Sequence, residues 1–231
     1  MSLLRAGLRL FFLHFYTSLA WTYDAVAYLV SVGQWNAWVL SARKAVTGLP
    51  VLEIGHGPGH LLVELGPRAF GVDASRQMSR IAQRRLRRAG IQPRLVRARS
   101  QELPFRSASF GCLVSTFPAE YILEPASIRE AWRVLREDAR LVIVASGELL
   151  GRRPLDRLAG WLFRITGQAG EIPAEWTEPF VQTGFELRRL DVPVMRSNVV
   201  QFIGIKPPAV AGGAARANPE AGDLKGVWRG N

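Results

Sequence analysis

Cysteine is almost absent: Cys112 stands alone in the chain. That excludes a disulfide framework and a thiolate-built zinc site, and it points to a reducing, cytoplasmic setting. Lysine is nearly as scarce, with Lys44, Lys206 and Lys225 the only three among 30 basic residues, so arginine carries the charge. Acids are few, 19 in all, which leaves a net charge of +11. Long apolar runs are also missing. The most apolar stretch, Leu8 to Ala20, is interrupted by Arg9 and His14 and falls short of the ~20 apolar residues that cross a bilayer. It runs straight into Trp21-Thr22-Tyr23-Asp24 with no small-x-small site, so it makes a poor secretion signal. What is present is 231 residues of which 48% are hydrophobic. This is enough to bury a core of one ordinary domain, and it excludes a globally disordered chain or a fibre.

The apolar period changes along the chain. Leu4, Leu8, Phe11, Phe12, Phe15, Tyr23, Val26, Ala27 and Val30 recur at helical spacing, and Trp35 to Val46 predicts a further short helix. From Leu49 to Ile54 a short apolar run ending in glycine suits a buried parallel strand. Ala69 to Val72 repeats the signal, and Ser75 to Ala89 predicts an Arg-rich helix closed by Gly90. Strands follow at Arg94 to Val96 and Phe110 to Thr116, a helix at Pro125 to Arg136 and a fifth strand at Leu141 to Ala145. Helices over Leu155 to Thr166 and Pro173 to Thr183 precede strands at Phe185 to Leu190 and Val199 to Ile205. Alternating strands and helices predict an α/β, Rossmann-like, doubly wound and mostly parallel seven-stranded sheet. The expected domains are a helical N-terminal extension over 1–47, the α/β domain over 48–206 and a disordered Pro-, Gly- and Ala-rich tail over 207–231.

The most informative stretch is Val51-Leu-Glu-Ile-Gly-His-Gly-Pro-Gly-His60. Three glycines alternate directly after the first strand, where a doubly wound sheet binds ligands. The G-x-G-x-x-G dinucleotide pattern fails because His60 stands at its last position, and no Gly-Lys-Ser/Thr follows for a P-loop. Glu53 beside the loop suits a ligand that carries positive charge. Asp73, eighteen residues after Gly55, closes the second strand, where a carboxylate can accept both ribose hydroxyls.

Glu53-x-Gly55-x-Gly57-x-Gly59, Val72-Asp73-Ala-Ser-x-x-Met78 and Glu102-Leu-Pro-Phe105 followed by Ser109-Phe110 together resemble class I S-adenosylmethionine-dependent methyltransferases. The resemblance is to the small-molecule branch typified by ubiquinone/menaquinone biosynthesis methyltransferases (the methyltransferase type 11 domain). Tyr23-Asp24, Ser31-Val-Gly33 and Trp38 resemble that branch's N-terminal pattern. The resemblance implies S-adenosyl-L-methionine as cofactor. Gly55, His56, Gly57 and Gly59 would hold its methionine part, with Glu53 organising the loop and the amino group. Asp73 would take the ribose, Ala74 and Met78 would pack near the adenine, and Ser100 and Gln101 would meet the adenine edge through backbone and side chain. Tyr23 and Ser115 complete the implied cofactor set. The sequence departs from the family at Arg99, where an acceptor for the adenine amino group is common, and at Gly111, where Asp is usual after Phe110. Both departures bear on the adenine contacts.

Methyl transfer from a sulfonium mainly needs alignment, and a base only where the nucleophile starts protonated. Glu120 and Tyr121, in the stretch after the fourth strand, are the candidates to orient or deprotonate an acceptor. The Asn/Asp-Pro-Pro-aromatic motif of nucleobase-amine methyltransferases is missing there, which lowers the nucleic-acid reading. His56 and His60 sit four apart without a third ligand in reach, so no metal is expected, and no Gly-x-Ser-x-Gly elbow calls for hydrolase chemistry. Nine aromatic residues between Phe11 and Trp38, with a second apolar segment at Leu155 to Ile165, suit walls for an apolar small-molecule or lipid acceptor. The first helix also suits peripheral contact with an anionic membrane. Two alternatives stand beside this reading. One is an RNA or protein methyltransferase docking through the Arg-rich helix over 76–88; the other is a non-catalytic S-adenosylmethionine-binding protein.

Overall fold

The computed structural model describes residues 31–150 and 176–208. The aromatic stripe before residue 31, Tyr23 within it, the apolar segment Leu155 to Ile165 and the tail from 209 lie outside the described residues.

Helix α1 (Trp35–Ser41) runs into a 3-10 turn (Ala42–Lys44) and leads to β1 (Val51–Ile54). Then come α2 (His60–Leu65), β2 (Ala69–Val72), α3 (Arg76–Arg88), β3 (Leu95–Val96) and β4 (Phe110–Thr116). A 3-10 turn (Glu120–Leu123), α4 (Pro125–Val134), β5 (Leu135–Leu149), α5 (Glu178–Thr183), β6 (Glu186–Val194) and β7 (Ser197–Ile205) complete the order. The strands form one seven-stranded sheet in the order β3-β2-β1-β4-β5-β7-β6. The first five run parallel, and β7 runs antiparallel to both its neighbours, β5 and β6, so that β6 shares the direction of the first five. This is the doubly wound architecture read from the alternation of periods.

Both faces are covered. On one, Leu52, Ile54, Leu113 and Ile143 pack against Ile128 and Ala131 of α4 and Phe180 of α5. On the other, Val51, Val114, Val142 and Val144 meet Trp38 and Val39 of α1 and Leu61 of α2. Residues 31–47, expected as part of an appendage, are stitched into this second face. The Trp38 ring lies so close to Gly147 of β5 that a Cβ there would stand 2.6 Å from the indole. Gln34 Oε1 accepts from the Arg196 backbone N–H (3.1 Å) and the Ser197 hydroxyl (2.6 Å). Gln201 Nε2 donates to Ser41 Oγ at 2.8 Å.

Helix α3 follows its expected course. Ser75 Oγ accepts from the Met78 N–H, and Gly90 with φ of 72° ends the helix. The region after α4 differs. The helix expected to reach Arg136 stops at Val134, because Leu135 turns to extended backbone and pairs with Phe110 of β4. The polar run Arg136-Glu137-Asp138 mimics a helix's solvent face. It is instead an irregular stretch of β5 in which Asp138 takes φ of 57° and its N–H donates to Lys206 O at 2.8 Å. Strand β5 therefore begins six residues before the expected Leu141 and ends four after the expected Ala145. Strands β6 and β7 are longer too, since they form a hairpin that turns at Met195 and Arg196. Pro193 is accommodated because β6 is an edge strand.

Candidate active site

The glycine loop leaves the C-terminal end of β1 and is held by the neighbouring strand. Gly55 N–H donates to Val72 O at 2.8 Å. Asp73, at the end of β2, accepts Gly57 N–H on Oδ2 (3.0 Å) and Ser75 N–H on Oδ1 (2.7 Å). One carboxylate thus ties loop, strand and the start of α3 together, and its two oxygens keep lone pairs for further donors.

Each glycine in the loop has its own reason. Gly55 (φ 71°) has the Tyr121 hydroxyl directly against its Cα, in the space a Cβ would take. Gly59 (φ 80°) lets α3 approach, since a Cβ would stand 2.8 Å from Ala82 Cβ. Gly57 (φ 51°) faces open space, with nothing within 4 Å of a Cβ. That opening is the cradle a ligand would fill.

Glu53 is 1% exposed and its Oε2 has no hydrogen-bond partner. Burial, and then the nearby Asp73 charge, hold its carboxyl well above the usual carboxylate range. His56 is buried as well. Its Nδ1 lies 2.7 Å from Gly57 O, a contact that requires the proton on Nδ1. Burial lowers its pKa while Asp73 opposes the shift. Its ring packs against β2 where Gly71 leaves room, a Cβ there standing 2.8 Å from His56 Cδ2.

A cleft beside the loop is lined by Trp35, Val39, Glu53, Gly55, Gly57 and Thr116. Phe117, immediately after β4, takes φ of 47° and stacks on Trp35 with ring centroids 4.3 Å apart. Helical spacing marks Trp35 only as part of a general aromatic wall, no motif marks Thr116 or Phe117 as cleft residues, and a left-handed phenylalanine leaves no trace in sequence.

Other expected contacts have different surroundings. Ser100 is buried, with Oγ 2.8 Å from Ser127 Oγ, and Gln101 Nε2 donates to Glu124 Oε2 at 2.6 Å. Both side chains tie the preceding loop to the start of α4, so the backbone is what remains for an adenine. Ser115 is fully buried and donates to Ile54 O at 2.8 Å, which makes it a β1–β4 fastener inside the sheet. Met78 is buried on the inner face of α3, while Ala74 is exposed beside Asp73. Tyr121 is brought to the loop; Glu120 is exposed one residue before it. Gly111 turns out to lie at the wrong end of the molecule to touch adenine. It is the second residue of β4, at the N-terminal end of that strand, its N–H donating to Pro50 O at 3.0 Å.

A buried carboxyl with one oxygen unpartnered among the described residues, a glycine facing open space and a carboxylate with spare acceptors fit a ligand bearing an ammonium group and vicinal hydroxyls. The profile of a family described as "Methyltransferase domain" matches residues 51–138, which span this loop, Asp73 and β4. The chain carries a class I S-adenosylmethionine-dependent methyltransferase domain. Curated relatives carry the name "Ubiquinone/menaquinone biosynthesis C-methyltransferase UbiE". That of Rhizobium leguminosarum is 29% identical over 174 residues, 68% of this chain and 67% of the relative. That of Citrobacter koseri is 26% identical over 144 residues, 57% of each chain. The methyltransferase thus aligns with little more than half the length of some relatives it matches. Among solved structures, the YcgJ protein of Bacillus subtilis shares the fold with a TM-score of 0.56 at 19% identity, covering 74% of this chain and 98% of that one. Geranyl diphosphate C-methyltransferase of Streptomyces coelicolor gives a TM-score of 0.56 at 15% identity, covering 74% of this chain and 78% of that one.

Two facts about the methyltransferase bound its surroundings. Among the described residues no group of three or more His, Cys, Asp or Glu could hold a metal ion. No described helix is long and apolar enough to cross a membrane.

The buried Glu53 carries a testable sign. Its folded-state pKa is raised, so the fold retains a proton that the unfolded chain releases above about pH 4.3. Glu53's contribution to stability is therefore full below that pH and is lost as pH rises through the raised value. Glu53→Gln, neutral throughout, should melt higher than the parent at about pH 8 and lose that advantage by about pH 4. The same variant should bind S-adenosylmethionine more weakly, because an amide cannot answer the ligand's positive charge. Thermal melts across pH, with and without cofactor, check both signs; a pH-independent difference would remove Glu53 as the source.

Proposed function

We propose that the methyltransferase acts on a small, apolar or lipid-like acceptor by in-line methyl transfer. The observation that carries this is the aromatic wall beside the loop. Trp35, backed by the Phe117 ring stacked on it, walls the cleft that Gly55, Gly57 and Thr116 also line, which suits a planar or greasy acceptor and not a highly charged one. The quinone-pathway names of the relatives agree with that class.

In this reading Asp73 holds the ribose hydroxyls, Glu53 answers the amino group, and Gly57 leaves the room. When bound, S-adenosylmethionine supplies an activated methyl group on a sulfonium, displaced in line by the acceptor. In the same reading Tyr121 orients the acceptor, which its hydroxyl lying against Gly55 at the loop supports. Glu120, exposed, is the second candidate for drawing a proton from a hydroxyl or enol.

The test is transfer of a radiolabelled methyl group from S-adenosylmethionine into separate lipid, small-metabolite, RNA and protein fractions. Label in the organic extract supports the reading; label confined to RNA or protein overturns it. With the labelled acceptor in hand, Tyr121→Phe should lower kcat by roughly 10²-fold or more, the contribution usual for a positioned proton donor or acceptor, while cofactor affinity stays within about threefold. An unchanged kcat would leave Tyr121 as packing.

A further inference from the structure

Helix α3 carries a charge pattern that folding alone does not call for. Its inner face, Met78, Ala82 and Leu86, is buried in the domain. Its outer face presents Arg76, Arg80, Arg84, Arg87 and Arg88, all exposed. Arg76, Arg80 and Arg84 follow at four-residue spacing and Arg87 and Arg88 continue the same stripe, about 18 Å from end to end at 1.5 Å per residue. Like charges at that spacing repel and weaken a helix. Surface helices usually relieve this with interleaved acids, yet no acid occurs between Asp73 and Glu102. None of the five makes an ion pair with a described carboxylate. Glu64, which shares a groove with Arg85 and Arg88 at the far end, is the one carboxylate lining that groove among the described residues.

The stripe is widened by the neighbouring edge of the sheet. Exposed Arg94 lies over the Phe70 ring at 5.1 Å, and exposed Arg97 donates to Ala74 O at 3.0 Å. Arg97 and Arg76 therefore bring the positive face up to Asp73, at the rim of the cofactor site.

We propose that this face of α3 and β3 docks the methyltransferase on an anionic lipid bilayer. A positive face built from two elements, with its charges spread in two directions, complements a plane of lipid phosphates. Single-stranded nucleic acid fits less well. Residues 74–104 contain no Phe, Tyr or Trp on which a base could stack, and Arg76, Arg80, Arg84 and Arg87 stand on the outer face, Arg88 alone of the five lining the groove beside Glu64. The apolar side of α3 is already buried, so the docking is electrostatic and leaves the helix outside the hydrocarbon. This inference rests on the charge pattern and not on the identity of the acceptor.

Vesicle sedimentation of the full chain tests it without any activity measurement. Vesicles of phosphatidylglycerol and phosphatidylcholine should carry the protein down at low salt and release it at about 0.5 M salt, where screening shortens to roughly 4 Å. Pure phosphatidylcholine vesicles should not bind it. Neutralising Arg80, Arg84 and Arg87 together to Gln should reduce partitioning about a hundredfold, roughly fivefold for each arginine. Melting temperature should not fall below the parental value, since the change relieves repulsion along α3, and cofactor affinity should stay parental, since none of the three contacts the loop or Asp73. The proposal fails if the parent ignores anionic vesicles at low salt, or if the triple variant binds within about threefold of the parent. It also fails if RNA displaces the parent from vesicles through the same three arginines.

Discussion

Asp73→Ala should lose S-adenosylmethionine affinity by about 1.5–3 kcal/mol, roughly 12- to 150-fold, the range for hydrogen bonds to a charged group. Two losses combine. The acceptor for the ribose hydroxyls disappears, and Gly57 N–H and Ser75 N–H lose the oxygens that hold the loop against β2. The effect should therefore extend to the demethylated product, S-adenosylhomocysteine, which shares the ribose. Asp73→Asn should fall between, because the amide keeps one acceptor. Calorimetry on the three proteins checks the order; unchanged affinity in the alanine variant would take Asp73 out of the site. Gly57→Val should do at least as much harm, since a branched side chain would occupy the open cradle at φ of 51°.

The second large effect concerns stability and runs against the family pattern. Gly111→Asp restores the residue common after the aromatic, yet it should destabilise the fold by about 3 kcal/mol or more and lower Tm by roughly 6–12 °C. A Cβ at Gly111 would stand 2.8 Å from Leu49 N and 2.9 Å from Gly48 C. Those atoms are backbone and have no flexible end to swing away. The approach is reciprocal, since a Cβ on Gly48 would stand 2.8 Å from Gly111 O. A carboxylate forced into that junction adds a desolvation cost. Protein that still folds should bind cofactor normally, because Gly111 lies at the start of β4 while the site lies beyond its other end. A variant melting within about 2 °C of the parent would show that the junction yields.

The sequence by itself determined the strand–helix alternation, the strand bounds of β2 and β4, the glycine loop with Glu53 and Asp73, and the arginine stripe on α3. These are local: each depends on a period, a cap or a glycine whose backbone need is written within a few residues. The tertiary structure decided what depends on which segment lies alongside. Leu135 is strand and not helix because Phe110 is there to pair with it. Ser100, Gln101 and Ser115 could each have faced a ligand by type, but their hydroxyl and amide groups find Ser127, Glu124 and Ile54, all distant in sequence. Tyr121 reaches Gly55 only because β4 lies beside β1. Trp35 meets a left-handed Phe117 only because α1 is fastened across the sheet by Gln34 and Ser41. A side chain's partner is set by the packing of elements far apart in the chain, and no residue pattern short of the fold itself encodes that choice.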